Sequence, residues 1–104
     1  MAPIALFVYN RPDHTRLTLQ CLAAADGAAM SDLYIFADGP RVPDDSDAAG
    51  KVRELCRAAT GFASVTLVER DRNYGLAANI LGGVSDVLDR HGRAIVIEDD
   101  VNVA

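Results

Sequence analysis

The chain has 104 residues, half of them hydrophobic, and a formal net charge of −5 from 15 acids against 10 lysines and arginines. That length allows one domain over residues 1–104 with a sizeable core, and the apolar content excludes a disordered segment. The acidic balance disfavours nucleic acid and anionic membrane surfaces as partners, and no run nears the roughly 20 apolar residues that span a bilayer.

The N-terminus, MAPIALFVYNRPDH, has no basic stretch before its apolar run and no small-residue cleavage site after it, so a cytoplasmic location is expected. Residues 4–9, IALFVY, read as a parallel strand buried on both faces. Pro12 biases Arg11 away from helical geometry, and Asp13 is expected to cap a helix over residues 14–25. Its inner stripe is Leu17, Cys21, Leu22 and Ala25, and Asp26-Gly27 ends it. Residues 32–37, DLYIFA, form a second strand stopped by Asp38-Gly39-Pro40. After a polar loop over residues 40–47, Ser46 or Asp47 caps a helix to about Thr60, with Val52, Leu55, Cys56 and Ala59 facing inward.

A third strand covers residues 64–69, SVTLVE, and the polar RDRN leads through Tyr74-Gly75 to a helix over residues 76–90. Leu76, Ile80, Leu81, Val84, Val87 and Leu88 are its apolar set, and His91-Gly92 ends it. Residues 93–97 form a fourth strand whose apolar run predicts burial. Cys21 and Cys56 fall in predicted helices without metal-ligand spacing, which favours buried, reduced thiols. His14 and His91 are isolated and receive no role.

Strands alternating with helices define an α/β fold, β-α-β-α-β-α-β, with a parallel Rossmann-like sheet, strand order 3-2-1-4 and helices on both faces. Ligands of such sheets bind at the carboxyl ends of the strands, where the order reverses. Four polar groups fall on that edge: Tyr9-Asn10-Arg11, Asp38-Gly39, Arg70-Asp71-Arg72-Asn73 followed by Gly75, and Glu98-Asp99-Asp100. Each has a plain alternative as a turn, a cap or a solvated charge. The triplet resists that explanation most. Alternation along a strand puts Glu98 and Asp100 on one side, where converging carboxylates suit a hard divalent cation, Mn²⁺ or Mg²⁺. Arg11, Arg72 and the helix start after Gly75 would suit an anion.

The blocks IALFVYNRPDHTRLTLQCL, DLYIFADGP, RNYGLAANI and AIVIEDDVNVA together resemble the N-terminal half of a GT-A fold glycosyltransferase, of the nucleotide-diphospho-sugar transferase type. The similarity is to family 2-like sugar transferases of bacterial surface polysaccharide synthesis. It extends to the N-acetylglucosaminyltransferase I group, whose metal motif is also Glu-Asp-Asp. The resemblance implies that Tyr9, Asn10 and Arg11 lie along the nucleoside and diphosphate, and that Asp38, with Gly39 beside it, bonds the base. It implies that Arg72, Asn73 and Gly75 flank the nucleotide. Asp100 would bind the metal, with Glu98 and Asp99 reaching the ribose or the metal's shell.

The implied activity is metal-dependent transfer from a nucleoside-diphosphate sugar, a UDP-sugar first among them, to a hydroxyl of an acceptor glycan or lipid-linked sugar. Catalytic domains of the family are longer, and no residue here matches the general base. The chain is therefore expected to be the donor-binding part of a longer enzyme, inactive alone, cytoplasmic or peripheral to the inner face of the membrane. A non-catalytic nucleotide-binding or nucleotide-sugar-binding module is the alternative. A phosphoacceptor receiver fits poorly, because the acids follow strand four instead of strands one and three. An uncovered sheet edge would favour a homodimer.

Overall fold

In the computed structural model, which describes residues 2–98, β1 (Ile4–Val8) and β2 (Asp32–Ala37) form the centre of a four-stranded parallel sheet. β3 (Ser64–Glu69) lies outside β2, and β4 (Ile95–Glu98) lies outside β1. The connecting helices are α1 (Pro12–Ala24), α2 (Ser46–Arg57) and α3 (Leu76–His91). The chain steps outward from β1 to β3, and α3 carries it back across the sheet to β4. Its direction reverses between β1 and β4. This is the Rossmann-like α/β architecture that the sequence predicts, strand order included.

Two apolar layers hold the sheet. On one face, Leu19 of α1 and Val52 and Cys56 of α2 pack on Ile4, Leu6, Val8, Leu33, Ile35 and Ala37. On the other, Val87 of α3, with Ile80 and Val84, meets Ala5, Phe7 and Phe36. The Phe7 and Phe36 rings stack with centroids 5.2 Å apart. Full burial of side chains of this size contributes about 1.5–3 kcal/mol each, which is why both central strands are almost wholly apolar. No helix among the described residues is long and apolar enough to cross a membrane.

β2 and β3 have the predicted bounds, and α2 presents the predicted stripe: Val52 and Cys56 are buried, and Leu55 and Ala59 pack beside them. Elsewhere the structure corrects the reading. β1 ends at Val8, which frees Tyr9 for the loop. α1 begins at Pro12, a first-turn position where the missing N–H costs nothing, so Arg11 is the N-cap and Asp13 does not cap. Asp13 lies in the first turn and pairs with Arg16 at 3.5 Å.

The inner face of α1 is Thr15, Thr18 and Leu19, with Leu22 beside them, while Leu17 and Cys21 are exposed. The helix packs on its small β-branched residues, a phase that counting apolar letters does not find. Cys21 is therefore no core thiol, whereas Cys56 is buried as expected. The N-cap of α2 is Asp45, one residue before the predicted pair, and the helix stops at Arg57.

α3 faces the sheet with half of the predicted set, Ile80, Val84 and Val87, joined by the unpredicted Asn79 and Gly83, while Leu76, Leu81 and Leu88 are exposed. A Cβ on Gly83 would lie 2.6 Å from Phe7 Cε1 and 2.9 Å from Phe36 Cδ2. The helix approaches the stacked rings because that position has no side chain. β4 begins at Ile95, and Ile95 and Val96 are 48% and 45% exposed. The expectation of a fully buried fourth strand fails because β4 is the outer strand beside β1, while α3 is centred on β1 and β2.

Candidate functional site

The carboxyl ends of the strands border a cleft of about 380 Å³. Phe7 and Val8 at the end of β1 line it, followed by Tyr9, Asn10 and Arg11. Asp38 and Arg41 contribute from the segment after β2, and Asn73, Gly75, Leu76 and Asn79 from the start of α3.

Asp38 is 4% exposed and forms the centre of this edge. Its Oδ1 accepts the backbone N–H groups of Gly39 at 2.9 Å and Tyr74 at 2.7 Å. Its Oδ2 accepts the N–H of Gly75 at 3.1 Å and the Asn73 amide at 3.4 Å. The Asn73 amide also donates to the Gly39 carbonyl at 2.9 Å. A Cβ on Gly39 would sit 2.6 Å from the Arg72 carbonyl carbon, so the loops after β2 and β3 meet backbone to backbone. Gly75 is the N-cap of α3 at φ 83° and ψ 155°, a conformation open in practice only to glycine. Together these contacts fix the N-terminus of α3 on the cleft wall.

Three arginines brace the network from behind. Arg53 of α2 donates to the Arg70 carbonyl at 2.7 Å, with the Ala37 and Asp38 carbonyls at 3.5 and 3.4 Å, and lies 3.7 Å from Glu69. Arg57 also pairs with Glu69. Arg70 donates from Nε to Asn79 Oδ1 at 3.1 Å and lies over the rings of Tyr74 and Phe36, at 4.8 and 5.3 Å. The buried Asn79 amide donates on to the Phe36 carbonyl at 3.3 Å.

A second carboxylate, Asp45, accepts the Tyr9 hydroxyl and the Asn10 amide, the latter at 3.2 Å. The Tyr9 oxygen in turn accepts the Arg41 N–H at 2.8 Å. Burial, then the bond to Asp45, pushes the Tyr9 phenol above its ordinary pKa. The Tyr9 hydroxyl, followed by the Asn10 amide and the backbone N–H groups of Arg41 and Val42, holds the Asp45 carboxyl below its ordinary value against the opposing effect of burial.

Of the residues singled out from sequence, Tyr9, Asn10, Arg11, Asp38, Asn73 and Gly75 converge on the cleft. Gly39 is buried behind it. Arg72 does not line it; this side chain is exposed, with its guanidinium 5.3 Å from the Tyr74 ring centroid. Glu98 pairs in register with Phe7, which puts it beside the cleft on the face that α3 covers. Asp99 and Asp100 lie outside the described residues, and no cluster of metal-ligating side chains occurs among the described ones.

Sequence reasoning missed Arg41, Asp45, Arg53 and Asn79, and put Arg70 on this edge without giving it a role. Asn79 carried a signal, a polar residue on the sheet-facing stripe of α3. His91, given no role, meets the Tyr34 hydroxyl at 2.7 Å at the C-terminal end of α3, on the sheet face that α3 covers.

The carboxylates of Asp38 and Asp45 are both engaged by donors, whereas Arg11 and Arg41 are exposed and in no ion pair among the described residues. Those donors are neutral and leave both carboxylates charged, so these two acids and two arginines balance; the exposed guanidinium groups of Arg11 and Arg41, with the α3 N-terminus, still offer donors to an anionic, polar ligand. A scan against protein-family models finds none that matches, and searches of curated proteins and of solved structures find no match either.

Proposed function

We propose that the cleft binds the nucleoside diphosphate of a nucleotide sugar, and that the chain is the donor-binding part of a metal-dependent glycosyltransferase. The observation that carries this reading is the position of the cleft. It lies at the carboxyl ends of the central strands β1 and β2, lined by Arg11, Arg41 and the start of α3. The four-block resemblance to GT-A transferases supplies the ligand class.

Arg11 and the first-turn N–H groups of α3 bind the diphosphate, and Asn10 and the ring of Tyr9, whose hydroxyl is engaged elsewhere, lie along the nucleoside. Asp38 enters the binding of the base only by exchanging one of its present donors, so its first duty is to hold Asn73 to Gly75 in place. The donor chemistry of Glu98 and Asp100 fits a hard divalent cation. Such a cation, Mn²⁺ or Mg²⁺, supplies Lewis-acid stabilisation of the departing diphosphate when bound.

One observation favours a module that binds without transfer: among the described residues, the carboxylate that lines the cleft, Asp38, is already hydrogen-bonded and does not stand ready as a general base. Calorimetric titration with UDP and a UDP-sugar, with and without Mn²⁺, tests the site, and release of free sugar or UDP tests turnover. Metal-dependent binding that Asp100→Ala removes is the expected result. Binding of UDP that ignores both Mn²⁺ and Asp100 rejects the metal role, and no binding at all rejects the function. Turnover by this chain rejects the binding-only alternative.

A further inference from the structure

Residues 40–45 pass from β2 to α2 along the rim of the cleft, with a single 3₁₀ turn at Pro43–Asp45 as their regular structure. One hydroxyl holds both ends of this strap. Tyr9 donates to the Asp45 carboxylate at its α2 end and accepts the Arg41 N–H, at 2.8 Å, at its β2 end. The Asn10 amide adds a further bond to Asp45 at 3.2 Å. Asp45 is also the N-cap position of α2, yet its side chain makes no cap bond; it is turned toward β1 instead.

The strap presents Arg41, which lines the cleft, is exposed and pairs with no acid among the described residues. Asp44, on the same strap, does not line the cleft. Tyr9 and Asp45 are thus committed to geometry, and the charge they place in the cleft is a guanidinium, whose fork of donors matches phosphate oxygens.

We propose that Arg41 is a second anion-contacting residue of the cleft, and that Tyr9 and Asp45 are positioning residues acting through it. The proposal rests on the nucleotide-site reading and adds to it a residue on the strap that selects for the phosphates over the nucleoside.

The test is a double-mutant cycle on the whole chain, with UDP, inorganic pyrophosphate and uridine titrated in the presence of Mn²⁺. Arg41→Ala and Tyr9→Phe should each weaken UDP and pyrophosphate about tenfold, the scale of one charge-assisted contact, while uridine stays within about twofold. The double variant should lose about tenfold and not about a hundredfold, because both changes remove one interaction. Arg41→Lys should recover part of the loss.

Additive losses overturn the positioning role, since Tyr9 would then act without Arg41. Equal losses for uridine, or an unchanged Arg41→Ala, overturn the anion contact. If the unmodified protein binds uridine but neither UDP nor pyrophosphate, the inference fails and the diphosphate site fails with it. If it binds UDP and the cycle is additive, only the inference falls. Unchanged circular dichroism and melting temperature for both single variants keep these outcomes separate from misfolding.

Discussion

Asp38 and Asp45 follow the same strand, and each carboxylate gathers donors from a distant part of the chain, but they sit in different surroundings. Asp38 is buried and accepts from Gly39, Asn73, Tyr74 and Gly75. Asp45 is only partly buried and accepts from two side chains, Tyr9 and Asn10. A donor that loses a buried acceptor has no water to replace it, whereas a solvated side chain finds water at once. The first network is therefore structural and costly to disturb, and the second is exchangeable, which suits contact with a ligand.

The largest effect expected from this contrast is at Asp38. Asp38→Ala should destabilise the protein by about 3 kcal/mol, because several backbone N–H groups lose their acceptor together. Asp38→Asn should cost less, about 1–2 kcal/mol, because its amide nitrogen must face donors where one oxygen now accepts. Urea denaturation checks both values. A loss of about 0.5 kcal/mol or less, as at an ordinary surface site, would erase the distinction between the two carboxylates.

Glycines near the two networks should respond with opposite signs. Gly39→Ala puts a Cβ 2.6 Å from the Arg72 backbone, which cannot swing aside as a side chain could, and should cost about 2 kcal/mol. Gly50→Ala, inside the helix that Asp45 begins, meets nothing within 4 Å and should stabilise by about 0.5–1 kcal/mol. Paired thermal melts read the difference, and the same sign for both would mean that the loops give way more easily than their contact implies.

The sequence discloses this architecture well where one physical signal acts alone. β2, β3 and the inner stripe of α2 are legible because apolar periodicity and burial coincide there. The sheet-facing stripe of α3 is legible at Ile80, Val84 and Val87 but not at its other two positions, because Gly83 is selected by the Phe7 and Phe36 rings and Asn79 by the Arg70 guanidinium. The rings belong to β1 and β2, and Arg70, though in the loop before α3, meets Asn79 only once that loop is folded back. β4 repeats the residue types of β1, yet covering it depends on where α3 crosses the sheet, a property of the fold and not of the strand.

At the cleft, the edge principle locates Tyr9, Asn10, Arg11, Asp38, Asn73 and Gly75. It misses Arg41 and Asp45 because an acidic, proline-containing loop carries no mark of the one hydroxyl that organises it. Asp38 shows a further limit. Its place on the edge is legible, but the four donors that occupy it become evident only when the loops are brought together.

The smallest predicted effect concerns the titration of the Tyr9–Asp45 pair. Asp45 has a folded pKa below its ordinary value, chiefly through the Tyr9 bond. Its contribution is therefore complete above the unfolded carboxylate pKa of about 3.9 and is lost as pH falls through the lower folded value. Tyr9 has a folded pKa raised first by burial and then by Asp45. Its contribution is complete below the unfolded phenol pKa of about 10 and is lost as pH rises through the higher folded value. The strap should stay fastened across neutral pH and loosen at both extremes, by little at the acid end because Asp45 meets solvent. Phenolate absorbance of the three tyrosines resolves the alkaline limb, with Tyr9→Phe identifying the Tyr9 step. Asp45→Ala should move that step to lower pH, since it removes both the acceptor and its charge. A step that does not move would assign the whole shift to burial, and Asp45 would then fasten the strap no more firmly than water does.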